Sequence, residues 1–285
     1  MQEKKKPATK DYEMKDYIKE IVDERLSPQD NRNRIREYIQ KFLLYILYKR
    51  KLYQNLVFVG GTALRFLYGI KRFSENLDFN LSYKAKKYDF KNILKAAEEE
   101  FVASGYKIEI KYDVSKNVHS AFLKFPGLLF EYGLSPHKDE KISIKMEIDT
   151  NPPRGGGEEV TLYNSIFMFY ILHYDLASLF AGKLHALLCR KYTKGRDWYD
   201  LIWYLTAFKG LEPNFVMLNN AIEQTMRKPF QIDRKNWKDK LKEAIDNFDI
   251  KKARNDVGRF LENPGEIELL TKKNLYKLLD VSTRY

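Results

Sequence analysis

The chain has a single cysteine, Cys189, in 285 residues, which excludes an internal disulfide framework and any zinc cluster built on cysteine thiolates. No uninterrupted apolar run approaches the ~20 residues that a helix needs to cross a bilayer. Met1 to Lys10 is lysine-rich with no apolar stretch behind it, so it reads as a disordered tail rather than a secretory signal. Internal repeats and low-complexity tracts are also absent. These absences predict a soluble, cytoplasmic protein with no membrane partner.

A hydrophobic content of 44%, with 14% aromatic residues, excludes global disorder. At ~150 residues per domain the length fits one large domain or two modest ones. Lysine and arginine outnumber aspartate and glutamate 51 to 39, a net charge of +12. Such an excess favours a polyanionic partner through counterion release, although a solvated lysine-rich surface has the same composition. From Lys183 to Arg196 the cations Lys183, Arg190, Lys191, Lys194 and Arg196 occur with no acid among them.

Asp11 to about Arg25 has the pattern of a mixed-charge helix. Ser27-Pro28-Gln29-Asp30 reads as a helix start, with a capping hydroxyl, proline in the first turn and an acid at the positive dipole end. Ile35, Ile39, Phe42, Leu43, Ile46 and Leu47 then recur at helical spacing. Leu56 to Val59 predicts a buried strand ending in Gly60-Gly61-Thr62, with a helix over Ala63 to Tyr68. Leu77 to Leu81 alternates, Tyr88 to Val102 predicts a helix, and Tyr106–Val114 with His119–Phe125 predict paired strands. In Lys141 to Asp149, Ile142, Ile144, Met146 and Ile148 form one face, and Ser143, Lys145, Glu147 and Asp149 the other. Asn151 to Gly157 is a proline- and glycine-rich loop that could act as a lid. Beyond about Leu172 the periodicity becomes helical, interrupted at Glu212-Pro213 and Asn263-Pro264. His173 and His185 are read as packing histidines on helices.

Four constellations could carry chemistry. Gly60-Gly61-Thr62, between strand and helix, could bring backbone amides close to a phosphate, or could be a structural turn. It is neither a Walker loop nor a dinucleotide fingerprint, lacking Gly-Lys-Ser/Thr and the third glycine. Asn76, Asp78 and Asn80 share one face of the 77–81 strand, where oxygen ligands for Mg²⁺ would stand; an ordinary half-buried strand has the same pattern. Glu147 and Asp149 project together from the 141–149 strand and could complete a metal site begun by Asp78. Asp197 and Asp200 lie near one helical face, with Lys183 available to neutralise phosphate charge and Asp197 or Asp200 to act as a base. An Arg–Asp-paired helix pair, with Arg196 as the arginine, is the structural alternative.

Taken in order, Val59-Gly60-Gly61-Thr62-Ala63-Leu64, Arg72-Phe73-Ser74-Glu75-Asn76-Leu77-Asp78-Phe79, Lys183-Leu184-His185-Ala186 and Arg196-Asp197-Trp198-Tyr199-Asp200-Leu201 resemble the AbiEii/AbiGii toxin family over roughly residues 35 to 205. The resemblance implies an α+β chain. Its N-terminal α/β domain, with a small mixed sheet, would be nucleotidyltransferase-like and of the DNA polymerase β type, and an all-helical domain would follow. The expected division is a tail and helix over 1–26, the α/β domain over 27–165 and helices over 166–285.

The resemblance further implies Mg²⁺, a nucleoside triphosphate substrate, an RNA acceptor such as tRNA, and a cognate antitoxin. Gly60, Gly61 and Thr62 would cradle phosphate, with Arg72, Ser74 and Lys183 completing the nucleotide site. Asp78, Lys183 and Asp197 would be catalytic, and Asp78, Glu147, Asp149 and Asn76 would surround the metal. Lys191, Lys194 and Arg196 would hold an RNA backbone. The family pattern Ser-x-Asp-x-Asp has Asn76 here in place of its first acid, and an amide ligates Mg²⁺ without contributing charge. That departure favours a rival expectation: a catalytically silent module that binds nucleic acid or an antitoxin.

Overall fold

The computed structural model describes residues 14–85, 87–192 and 194–281. The expected tail over 1–10 lies outside them. In chain order the elements are α1 (Met14–Ile21), α2 (Pro28–Lys49), β1 (Leu56–Val59), α3 (Gly60–Tyr68), β2 (Asn76–Leu81), α4 (Phe90–Ala103), β3 (Glu109–Asp113), β4 (Val118–Pro126), α5 (Leu128–Glu131), β5 (Lys141–Asp149), β6 (Glu158–Asn164), β7 (Met168–Tyr174), α6 (Leu176–Cys189), α7 (Gly195–Ala207), α8 (Phe215–Thr225), α9 (Trp237–Asn247), α10 (Ile250–Gly258) and α11 (Lys272–Val281).

The strands form one seven-stranded mixed sheet in the order β3-β4-β5-β2-β1-β7-β6. β1 runs antiparallel to β2 and parallel to β7, and β2 runs parallel to β5. Ser27 caps α2, its hydroxyl accepting the Asp30 amide, and Pro28 occupies the first turn. The apolar side of α2 buries Ile35, Ile39, Phe42, Leu43, Ile46 and Leu47 and packs on β5 and β7. In β5, Ile142, Ile144, Met146 and Ile148 are buried, while Ser143, Lys145, Glu147 and Asp149 stay half-exposed. The period-2 pattern therefore sorts the sheet into an apolar face and a polar one.

The sheet reaches past residue 165, where the helical part was expected to begin. β7 carries His173, opposite Phe58 of β1, so this histidine sits on a strand and not on a helix. From Phe169 onward its residues are buried apart from Tyr170, so no alternation marked it as a strand. Every regular helix or strand described from Leu176 onward is helical. α6 packs on α7, α8 and α9, with Phe180 stacked on Tyr204 at 4.5 Å.

The two parts are also joined through the chain segment before β2. Phe73 N–H donates to Phe260 O at 2.7 Å and Glu262 N–H to Lys71 O at 3.3 Å. Among the described residues no helix is long and apolar enough to cross a membrane.

Candidate active site

β1 ends at Val59 and α3 begins at once, so Gly60 must turn the chain with φ +78°. That value lies in the left-handed region, which disfavours any side chain. Space makes the same demand. A β-carbon at Gly60 would stand 2.6 Å from Asp78 Oδ2, so the glycine lets the carboxylate lie against the start of α3. A β-carbon at Gly61 would collide with the Arg72 guanidinium. Each glycine thus makes room for one charged group.

Asp78 stands opposite Val59 on one side and opposite Glu147 on the other; Asn80 stands opposite Asp149 and Asn76 opposite Lys145. In a parallel pair, residues at the same register share a face, so the Asp78 and Glu147 side chains are neighbours. Desolvation, and then the Glu147 charge, push the Asp78 pKa from 3.8 up to about 6, against the pull of Lys194, Lys183 and Lys145. Lys145 holds Glu147 at 2.7 Å. Burial also raises the Asp149 pKa, an effect offset in part by the Asn151 amide. Among the described residues there is no group of three or more histidine, cysteine or acidic side chains that could hold a metal ion. The donor set present is two adjacent carboxylates with amide oxygens beside them. That set suits Mg²⁺, which is held by one or two carboxylates and completes its shell with water and substrate phosphate.

Beneath this face lies a buried line of alternating charges. Arg72 donates from Nε to Asp200 Oδ1 at 2.5 Å and from Nη2 to Asp200 Oδ2 at 2.6 Å. Lys183 Nζ bridges Asp200 Oδ2 at 2.7 Å and Asp197 Oδ1 at 2.6 Å. Arg190 closes the line on Asp197 Oδ2. Burial alone would raise the Asp197 pKa, but Lys183 and Arg190 outweigh it and hold the value at about 2. Asp197 is therefore a fixed anion and a poor base.

A cleft of about 270 Å³ opens above these groups. Gly60, Gly61 and Asp78 line one side, and Lys183, Arg190, Lys194 and Asp197 another. Tyr174, Met217 and Ala221 add an apolar wall. A second cavity of about 320 Å³ adjoins it, sharing Ala186, Arg190, Lys194 and Asp197 and continuing past Lys191 and Tyr192 to Phe248.

Gly60, Gly61, Asp78, Lys183 and Asp197 come together as the sequence suggested, and Glu147 joins Asp78 through the sheet register. Three expected nucleotide contacts are placed otherwise. Arg72 is 1% exposed and spent on Asp200. Thr62 is fully buried and donates its hydroxyl to the Asn76 carbonyl, tying α3 to β2. Ser74 lies half-buried just before β2, its carbonyl accepting from Gln40 Nε2 at 3.1 Å, and it does not line the cleft.

Arg196 leaves the basic surface expected for RNA. It reaches Glu75 at 3.3 Å and lies over the Phe260 ring at 4.2 Å, with only 14% of its side chain exposed. Arg196 also meets Asp256 of α10, its Nε 3.8 Å from Oδ2 and its backbone N–H donating to the same oxygen at 3.3 Å. The arginine–aspartate pairing expected of it is therefore present, and Arg72 and Arg190 make further pairs of this kind. The Gly155–157 loop is tied to the helical part: Gly155 O accepts from Asn214 Nδ2 at 2.7 Å and Gly157 N–H donates to Ser178 Oγ at 2.9 Å. The apolar wall of Tyr174, Met217 and Ala221 had no sequence signal, because its members are ordinary core residue types drawn from two elements far apart in the chain, β7 and α8.

A family model described as "Nucleotidyl transferase AbiEii toxin, Type IV TA system" matches residues 42–272. Two crystal structures from Helicobacter pylori are similar in fold. One is a provisionally assigned nucleotidyltransferase, at a TM-score of 0.53 and 18% identity, covering 85% of this chain and 92% of its own. The other is JHP933, at 0.52 and 18% identity, covering 85% and 89%. No curated protein matches the chain.

Proposed function

The chain belongs to the AbiEii nucleotidyltransferase toxin family, and on that premise we propose that it is a Mg²⁺-dependent nucleotidyltransferase acting on an RNA acceptor such as tRNA. The observation that carries this reading is the contact of Gly60 with Asp78 beside Glu147. One carboxylate pair lies at the start of a helix whose first turn presents free amide donors.

Asp78 and Glu147 would hold the metal, with Asn76 and Asp149 adjacent on the same face. Bound there, the ion would draw charge from the phosphate oxygens and relieve the repulsion that raises the Asp78 pKa. Gly60 and Gly61 would present backbone N–H groups to the triphosphate. Tyr174, Met217 and Ala221 would receive the nucleoside. Lys183 and Asp197, locked in their ion-pair line, would keep the cleft floor rigid and its field constant. An acceptor hydroxyl oxygen would bond to the α-phosphorus as the bond to the bridging oxygen breaks. The electron pair would leave with pyrophosphate and the hydroxyl proton would pass to water. Catalysis would come mainly from positioning and charge stabilisation.

A cognate antitoxin, encoded as a separate chain, would be the regulatory partner, in keeping with the toxin–antitoxin description of the family. The test is incubation with Mg²⁺, each labelled nucleoside triphosphate in turn and total tRNA, beside Asp78→Asn, Glu147→Gln and Asp149→Asn. Label should enter RNA with the wild type, vanish with Asp78→Asn and fall most steeply with Glu147→Gln of the other two. RNA binding without transfer, indifferent to Mg²⁺ and nucleotide, would replace this reading with the silent binding module that Asn76 suggests.

A further inference from the structure

Three lysines project their charge onto Asp78, and Lys194 acts more strongly than Lys183 or Lys145. Their circumstances differ. Lys183 Nζ is held by two carboxylates at 2.6 and 2.7 Å, so its charge is already answered and its direction fixed. Lys145 is held by Glu147 at 2.7 Å. Among the described residues, Lys194 has no carboxylate within the 4.0 Å of an ion pair, although it is partly buried and borders both cavities.

From these contrasts we propose that Lys194 is the cation that contacts the reacting phosphates, an inference that rests on the nucleotidyl-transfer reading. Its backbone is anchored: Lys194 caps the start of α7, and its carbonyl accepts the Asp197 amide at 3.0 Å. The side chain alone is left to move. Burial and the nearby charges of Arg196, Lys183 and Arg190 make its ammonium costly, and Asp197 offsets this only in part. An anion entering the cleft would supply the missing counter-charge, and a triphosphate carries it.

The position at the junction of the two cavities decides which oxygens Lys194 meets. A nucleotide lying in the 270 Å³ cleft and an acceptor entering from the 320 Å³ cavity converge on the wall shared by Arg190, Lys194 and Asp197. The bond from acceptor oxygen to α-phosphorus forms there, and the bond to the departing pyrophosphate breaks there. Lys194 keeps its proton throughout. Its charge holds the bound triphosphate and grows in value as negative charge moves onto the leaving oxygen, so that the transition state is stabilised more than the bound substrate.

The experiment compares the wild type with Lys194→Gln and Lys194→Arg. It measures transfer from Mg²⁺–nucleoside triphosphate to tRNA, and equilibrium binding of the triphosphate and of the matching nucleoside monophosphate. Lys194→Gln should cut the transfer rate roughly a hundredfold or more, weaken the triphosphate more than the monophosphate, and raise Tm slightly or leave it as it is, because a costly charge is removed. Lys194→Arg should recover most of the loss. A Lys194→Gln protein that binds and transfers like an active wild type would overturn the role of Lys194 and leave the nucleotidyl-transfer reading standing. A loss that arginine does not recover would overturn the electrostatic role in the same way. A wild type that neither binds a triphosphate nor transfers would remove both.

Discussion

Arg72 and Asp200, 128 residues apart, share two parallel hydrogen bonds of 2.5 and 2.6 Å inside the protein. One residue belongs to the loop that leads into the strand of Asp78. The other belongs to α7 in the helical part. The guanidinium runs beneath Gly61, where a β-carbon would block it. The pair therefore joins two sequence motifs into one floor and sets the height of the cleft above it. Both partners are buried, and a bidentate, mutually hydrogen-bonded geometry is the condition under which burial of two charges is tolerated.

Removing one partner should be far worse than removing a surface charge. Asp200→Asn leaves Arg72 and Lys183 with one negative charge fewer in a dry environment. The expected loss is about 3–5 kcal/mol of unfolding free energy, measured by urea denaturation. A change below about 1 kcal/mol would mean that water reaches this pair and that the floor is not rigid.

Gly60→Ala should separate folding from function. The left-handed backbone costs an alanine about 1–2 kcal/mol. The added methyl group must also push Asp78 Oδ2 from a position only 2.6 Å away. The variant is expected to fold, with Tm lowered by several degrees, and to lose Mg²⁺-dependent nucleotide binding. A variant with full nucleotide affinity would show that the Asp78 carboxylate does not need to lie against α3.

Acid should weaken the floor within a defined window. Asp197 is held at about 2 against 3.8, so the folded state binds its proton less readily than the unfolded chain does. Its contribution is fully present above the unfolded pKa and is lost as pH falls from about 4 through 2, amounting to about 2 kcal/mol. Asp200 is shifted in the same direction and adds to the effect. Asp78 works oppositely: raised from 3.8 to about 6, it imposes a cost that is full above the higher value and fades as pH falls from there to the lower one. Stability should therefore peak at about pH 4 and decline as pH rises toward 6, and Asp78→Asn should gain stability at pH 7 while losing transfer. Tm measured across pH 2 to 8 checks both limbs, and a curve flat from pH 4 down to 2 would sink the first.

Local pattern carried much of the fold. The β5 alternation of Ile142, Ile144, Met146 and Ile148 against Glu147 and Asp149 was legible because a half-buried strand needs that period. The Ser27-Pro28 start of α2 was legible because its capping chemistry is local. β7 was not, since a strand covered on both faces shows an apolar run with no alternation. The same limit applies to Thr62 and Arg72. A polar residue in a motif looks alike whether its donors face a ligand or, as here, Asn76 and Asp200.

By itself the sequence determined the family, the mixed α/β core with helices after it, and the set of charged residues from which a site could be assembled. Those features depend on residue type and short spacing, which the chain carries openly. Only the tertiary structure decided which charges cancel one another and which remain available. Register set Asp78 against Glu147, a long-range ion pair spent Arg72 and Asp200 on each other, and packing on Phe260 and Glu75 withdrew Arg196. Lys194 was left beside the cleft. Charge pairing depends on distances between residues far apart in the chain, and folding alone sets those distances.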